Sequence, residues 1–346
     1  MIYEIRIILV GNNLNRMVNW GIIGVGDVCE KKSGPGLQKA EGSNLIAVMR
    51  RTGELAKDYA QRHGVPKWYD DAAALINDPD INAIYIATPP DGHLPYTIMA
   101  AQAGKPVYVE KPMARSHQEC LEMVEVCQQN GVPLFVAFYR RALPNFLKVK
   151  DLIAEGAIGD VRFVDVKVHK SLYPDIVGQS SNVNNWRTKP EIAGAGYFYD
   201  LASHQLDLLD FFFGPITKAQ GVAKNCGGLY QAEDTTMGTF QFQNGVLGMG
   251  SWCFAVADGS ETEMTTIYGS KGRIEFPYFE GFFVDLFIDG QEKQRFQFDM
   301  PTHIQQPLIQ SIVDELNGKG KFCASTGISG ARTNWAMEQI CQRVDQ

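Results

Sequence analysis

No stretch of the 346 residues is apolar for long enough to cross a bilayer, so hydropathy offers no transmembrane helix. The opening MIYEIRIILVG carries Glu4 and Arg6 inside its apolar run, which makes it a poor secretory signal. Neither charge sign dominates: 32 Lys and Arg against 39 Asp and Glu leave a net charge of -7. That balance argues against a nucleic-acid or anionic-membrane partner held by bulk charge, while a local basic pocket stays open. The seven cysteines (Cys29, Cys120, Cys127, Cys226, Cys253, Cys323 and Cys341) are scattered, odd in number and without a C-x-x-C pair. Their spacing speaks against a disulfide framework or a zinc cage and for reduced thiols in the cytoplasm. Each reads as a small buried hydrophobe. Repeats and low-complexity stretches are missing too, and no metal site is expected.

What is present is an ordinary globular composition, 45% apolar and 21% charged, in a chain long enough for two domains. Residues 1–16 precede the first clear element and read as an extension from an upstream start or, alternatively, as an extra edge strand. NWGIIGVG (19–26) is a buried strand running into a Gly24-x-Gly26 turn. Such a turn lets the backbone approach a pyrophosphate, and the next helix aims its unpaired N–H groups at it. That helix, DVCEKKSGPGLQKAEG, should break or restart at Ser33-Gly34-Pro35. NLIAVM (44–49) is the second strand. GELAKDYAQRH (53–63) is an amphipathic helix stopped by Gly64. A short helix in DDAAALIND, a strand INAIYIA (81–87), a helix over 93–103, a strand PVYVE (106–110), a helix over 117–130 and a strand over 134–138 follow. Alternating buried strands and helices predict an α/β Rossmann domain, a doubly wound parallel sheet, over 17–140.

Beyond Arg140 the pattern changes to long alternating strands. DVRFVDVKVHK (160–170) is one; 235–242 and 246–254 flank the hairpin signal Asn244-Gly245. Runs at 262–268 and 273–276, then at 282–288 and 291–298, extend an antiparallel meander, and helices over 304–316 and 328–344 close the chain. An α+β domain with a large, mostly antiparallel sheet is therefore expected over 141–346.

Ligands of doubly wound sheets bind beyond the carboxyl ends of the strands. Gly24, Gly26, Asp27, Val28, Arg50, Thr88, Lys111 and Tyr139 all fall there. NAD sites usually end the second strand in an acid that holds the ribose hydroxyls. Here the chain offers Met49-Arg50-Arg51-Thr52 with no acid, and guanidinium groups suit a ribose phosphate. NADP is therefore the expected cofactor, with NAD the alternative. Lys111, between Glu110 and Pro112, is placed to polarise or protonate a carbonyl oxygen. Asp200, His204 and Asp207 share one helix face by spacing, and a carboxylate beside an imidazole makes a proton donor poised near neutrality.

Together, the G-x-G turn, Glu110-Lys111-Pro112, Tyr139-Arg140-Arg141, Trp186-Arg187 and Asp200-x-Ala-x-His204-x-x-Asp207, in this order, resemble the glucose–fructose oxidoreductase and inositol dehydrogenase (Gfo/Idh/MocA) family. The resemblance covers about residues 18–344. It implies that Lys111 holds or protonates the reacting oxygen and that Asp200 and His204 form the acid/base pair. It further implies that Thr88, Pro89, His93 and Glu110 line the dinucleotide, and that Tyr139, Trp186 and Arg187 approach substrate or nicotinamide. Cys29 at the third small position of the fingerprint, the break at 33–35, and Ala202 where the family often has glycine are departures. The expected activity is reversible hydride transfer between NADP(H) and a secondary alcohol or ketone of a sugar, cyclitol or related polyol, in a homodimer or homotetramer. A dihydrodiol dehydrogenase and a non-catalytic dinucleotide-binding regulator are the alternatives. The substrate half holds Tyr173, Trp186, Tyr197, Phe198 and Tyr199, aromatics that more often serve core or cofactor packing than an apolar diol.

Overall fold

The computed structural model describes residues 17–171, 185–320, 322–342 and 344. The extension 1–16, Tyr173 and the rest of 172–184 lie outside the described residues. The chain divides into two compact units. The first holds the residues up to Tyr139 together with Pro301–Ala331; the second holds Arg140–Met300 and the segment from Arg332. A single break at 140/141 therefore misassigns one stretch: 301–331 returns to the first unit.

The first unit is built on β1 (Val18–Ile23), β2 (Ser43–Met49), β3 (Lys67–Tyr69), β4 (Ala83–Ile86), β5 (Val107–Val109) and β6 (Leu134–Val136). All are parallel, in the order β3-β2-β1-β4-β5-β6. The inner strands read as unbroken apolar runs because both of their faces are buried, as in Ile84, Tyr85 and Ile86. The edge strand β3 escaped sequence reading, since three residues at a sheet rim need no apolar run.

The helices between them are α1 (Asp27–Lys31), α2 (Ser33–Lys39), α3 (Gly53–His63), α4 (Ala72–Ile76), α5 (His93–Gln102) and α6 (His117–Gln129). The expected restart falls at Lys32, between α1 and α2. Gly34 is needed there because a Cβ would lie 2.2 Å from the Tyr59 hydroxyl oxygen and 2.4 Å from the Cys29 carbonyl oxygen. Gly64, left-handed at φ 65°, stops α3 as anticipated.

The second unit starts with α7 (Pro144–Ala154), which sequence reading left unassigned, and continues with β7 (Val161–Ser171), α8 (Pro190–Ala193), α9 (Tyr197–Phe213) and β8 (Ile216–Lys224). Then come β9 (Thr235–Phe242), β10 (Leu247–Val256), β11 (Thr262–Gly269), β12 (Gly272–Phe276), β13 (Phe283–Ile288) and β14 (Gln294–Gln297). The eight strands lie in the order β14-β13-β12-β11-β7-β10-β9-β8. The expected meander is therefore interrupted: β7 is inserted between β11 and β10 and runs parallel to β10, while the other pairings are antiparallel. Alternation gives the sheet one buried face, with Val164, Val166, Val168, Trp252, Ile267 and Ile274 at 0% exposure. α9 packs against β9 and β10. On the opposite face Phe163, Val222, Met237, Leu247 and Met249 are exposed.

Two helices close the chain, α10 (Gln306–Leu316) and α11 (Gly327–Ile340). α10 packs on α2, with Ile309 filling the space left by Gly36. Thr326 bridges to Phe135 beside β6. The first unit thus completes itself with residues distant in sequence.

Candidate functional site

In the first unit the expected residues gather at the carboxyl ends of β1, β2, β4 and β5. Gly24 has φ +93°, and a Cβ there would sit 2.7 Å from Thr88 Cγ2 and 2.9 Å from the Thr88 amide nitrogen. Only glycine accepts both the left-handed backbone and that approach of β1 to the end of β4. Gly26, the residue before α1, has an ordinary extended φ of -139°. A Cβ on it would meet nothing within 4 Å. Its lack of a side chain serves open space, the condition for a ligand backbone to lie close. Asp27 and Val28 follow in the first turn of α1, Asp27 exposed and Val28 half-buried. Cys29 occupies the third small position fully buried, and burial pushes its thiol up to about 12, so it packs and does not react.

Arg50 and Arg51 are exposed at the end of β2. The Arg50 guanidinium donates to the Val25 carbonyl oxygen at 3.3 Å, which brings a cation to the fingerprint turn. At the end of β4, the Thr88 hydroxyl oxygen is buried with no hydrogen-bond partner among the described residues. Next to it Pro89 opens a short turn. His93, expected at the dinucleotide, is fully buried, its two ring nitrogens 3.0 Å from the Met113 carbonyl oxygen and 2.8 Å from that of Thr88. Burial holds its pKa below the usual range against those two carbonyls. His93 thus braces the Thr88 backbone.

Glu110 at the end of β5 is buried, and its Oε1 accepts from the Tyr85 hydroxyl at 2.6 Å and from Gln305 Nε2 at 2.9 Å. Its Oε2 accepts from the Lys111 amide at 3.1 Å. Tyr85 and Tyr108 stack at 4.7 Å, and the Tyr108 hydroxyl donates to Gln305 Oε1. Glu110 is therefore a fixed anchor for the Lys111 backbone, and the Lys111–Pro112 peptide is cis. Gln305, which completes the anchor, carries no local signal; it lies 195 residues from Glu110. The open space at Gly26, the unpartnered Thr88 hydroxyl and the Arg50 cation fit a phosphate-bearing dinucleotide. Tyr139 is buried just past β6.

In the second unit the expected acid/base residues lie on α9, where Asp200 is 7% and His204 4% exposed. The helix start is set by Glu233, whose Oε1 accepts from the Gly196 amide at 2.7 Å. A Cβ on Gly196 would strike the Glu233 carbonyl oxygen at 2.5 Å. Asp200 pairs with Arg187 Nε at 3.3 Å, and the Arg187 guanidinium lies 4.4 Å over the Trp186 ring. Asn185 accepts from the Arg187 amide at 3.2 Å and fixes that turn. His204 presents its ring edge-on to Phe279 at 6.0 Å.

Asp207, expected on the same functional face, is instead held by Arg141, and Arg332 holds Asp210. Sequence spacing missed both clamps, as it missed Glu233, because their partners are remote in the chain. The aromatic residues near α9 are mostly core: Tyr197 packs on Tyr230 and Phe254, and Phe198 on Trp252 and Tyr199. The uniform reading of the cysteines fails for three: Cys226 is exposed, and Cys253 and Cys341 are half-buried. Among the described residues there is no group of three or more His, Cys, Asp or Glu that could hold a metal ion, and no helix long and apolar enough to cross a membrane.

Comparison with known proteins agrees with this layout. Residues 18–138 match the oxidoreductase family's NAD-binding Rossmann fold, and residues 146–275 match the GFO/IDH/MocA C-terminal domain. The chain is 40% identical to oxidoreductase P35 of Formosa agariphila over 298 residues, covering 86% of this chain and 90% of the relative. It is 30% identical to a 1,5-anhydro-D-fructose reductase of Ensifer adhaerens, covering 67% and 68%. A levoglucosan dehydrogenase in complex with NADH and L-sorbose shares the fold with a TM-score of 0.82 at 22% identity, over 93% of this chain and 95% of that one. With both halves matched in order, the chain belongs to the GFO/IDH/MocA family of oxidoreductases, with an NAD-binding Rossmann domain.

Proposed function

We propose that the chain interconverts a secondary alcohol and a ketone on a sugar, cyclitol or related polyol, with NADP(H) as its redox partner. Asp200 and His204, one turn apart on a buried helix, carry the proposal, because they give the reacting hydroxyl a proton acceptor of fixed orientation. The names of two similar proteins, a 1,5-anhydro-D-fructose reductase and a levoglucosan dehydrogenase with L-sorbose, support a sugar or related polyol.

A bound nicotinamide dinucleotide supplies the hydride acceptor or donor. Every other task falls to side chains. Lys111 stabilises the charge that develops on the substrate oxygen. His204 takes up or returns the hydroxyl proton, and Asp200 orients its ring. Tyr139, Trp186 and Arg187 hold the substrate. Gly24, Gly26, Asp27, Val28, Thr88, Pro89, His93 and Glu110 shape the dinucleotide site. The preference for NADP rests on the acid-free end of β2 and on Arg50, anchored at the fingerprint turn, with Arg51 beside it; both suit a ribose phosphate.

The exposed apolar face of the eight-stranded sheet, with Met237, Leu247 and Met249, supports a homodimer or homotetramer. Seven free thiols support a reducing, cytoplasmic setting.

Parallel fluorescence titrations with NADPH and NADH, followed by a panel of neutral polyols, sugars and a trans-dihydrodiol, test the proposal. Tighter NADPH binding and turnover of a sugar or polyol are expected. Tighter NADH binding would remove the role of the arginines. Exclusive turnover of the dihydrodiol would replace the substrate class. Binding without turnover of any panel member would point to a regulator. Analytical ultracentrifugation checks the assembly, and a monomer at micromolar concentration would refute it.

A further inference from the structure

Lys170 is a lysine where the sheet calls for an apolar residue. Alternation along β7 places it on the buried face behind Val164, Val166 and Val168, and it is 4% exposed. Burying an ammonium is costly unless its hydrogens find acceptors. Its one hydrogen-bond partner among the described residues is Glu280, whose Oε1 accepts at 2.5 Å, while the Glu261 carboxylate feels its charge without a hydrogen bond. Two of the three ammonium hydrogens are left over.

Glu280 is held by its backbone. Glu263 accepts from the amides of Tyr278, Phe279 and Glu280 at 2.6, 3.0 and 3.3 Å, so that carboxylate is spent on pinning the segment. The Glu280 side chain is 72% exposed and has one carboxylate oxygen to spare. The same short segment meets His204, because the Phe279 ring faces the imidazole at 6.0 Å and the Arg140 guanidinium at 4.8 Å. One residue thus touches the proton-transfer group, and the next holds the counter-ion of a buried lysine.

Building on the polyol proposal, we propose that Lys170 and Glu280 form a subsite for two adjacent hydroxyl groups of the substrate, away from the carbon that reacts. The pair is neutral overall, with spare donors beside a spare acceptor. Vicinal hydroxyls, each able to donate and accept, match that pattern. An acidic substrate would instead have to displace Glu280.

The test uses the full chain with NADPH or NADP and the neutral compound turned over best among D-glucose, myo-inositol and D-glucitol. Steady-state kinetics and tryptophan-fluorescence titration are run on wild type, Lys170→Met and Glu280→Gln. Lys170→Met should raise KM and Kd about tenfold or more, as expected for lost hydrogen bonds to a charged group, with kcat within about twofold. Glu280→Gln should raise KM less. Removing one substrate hydroxyl at a time should weaken wild type at two adjacent positions and leave Lys170→Met indifferent there. Unchanged KM in both variants, or an equal loss of kcat, would overturn the subsite. So would preferential turnover of D-gluconate or D-glucuronate, which would assign an anion site. If Lys170→Met does not fold, the exposed Glu280→Gln with the deoxy series decides. Failure of wild type on every neutral polyol would defeat the polyol proposal itself, an outcome distinct from normal wild-type turnover with indifferent variants.

Discussion

Arg141 donates to both carboxylate oxygens of Asp207, at 2.8 and 2.7 Å, one helical turn beyond His204. Both side chains are almost fully buried, so Asp207, the second acid of the α9 face, serves as a structural tie. Removing one partner strands the other charge in a dry interior. Arg141→Met should therefore destabilise the chain at pH 7 by about 3–5 kcal/mol, while Arg141→Met with Asp207→Leu should lose much less. Urea unfolding of the two variants against wild type measures the difference.

The two carboxylates with the clearest shifts should give opposite pH dependences. Arg62, hydrogen-bonded to Glu30, holds its carboxyl down at about 2 from 4.5. That stabilisation is present above pH 4.5 and is lost as the pH falls through about 2. Burial lifts Asp207 to about 6 from 3.8 against the pull of Arg141. Its contribution is present below pH 3.8 and is lost as the pH rises through about 6. Glu30→Gln should flatten the acid limb of a Tm–pH profile, and a limb unchanged in that variant would refute its origin.

The two fingerprint glycines should separate folding from binding. Gly24→Ala places a methyl group 2.7 Å from Thr88 Cγ2 on a left-handed backbone, which should cost about 1–3 kcal/mol. Gly26→Ala meets no protein atom within 4 Å; Tm should stay within a degree or two while dinucleotide affinity falls. Calorimetry and fluorescence titration of the same pair decide the matter, and equal loss of Tm in both would count against it.

Glu110→Gln removes an anionic acceptor shared by Tyr85, Gln305 and the Lys111 amide. A loss of about 1–3 kcal/mol in stability is expected from the disturbed buried network, together with slower turnover as Lys111 loses its anchor. Denaturant unfolding and kcat report the two effects separately.

Lys111→Ala tests the first unit's part in the chemistry. Turnover should fall by about 10²–10⁴-fold, with dinucleotide binding nearly unchanged. Wild-type turnover in this variant would remove Lys111 from the mechanism.

Much of the architecture was legible because its signals are local. The apolar runs ending at Gly24 and Ala87, the Gly64 stop and the Asn244-Gly245 hairpin each act within a few residues. So did the placement of Gly26, Arg50, Thr88 and Lys111 at strand ends, which follows once a parallel sheet is inferred. The spacing of Asp200, His204 and Asp207 predicted a shared helix face but not its occupants. Arg141 reached Asp207 first, from 66 residues away.

By itself, then, the sequence determined most helix and strand types, the two-part organisation and the strand-end or helix-face placement of the candidate site residues, because backbone periodicity and turn chemistry act over short range. Only the tertiary structure decided that β7 enters between β11 and β10, that 301–331 rejoins the first unit, and that Gln305 locks Glu110. It also placed Lys170, buried with Glu280 110 residues away. Partners of this kind are chosen by burial, where a polar group must be satisfied by whatever the fold brings to it, and no local pattern records which residue that will be.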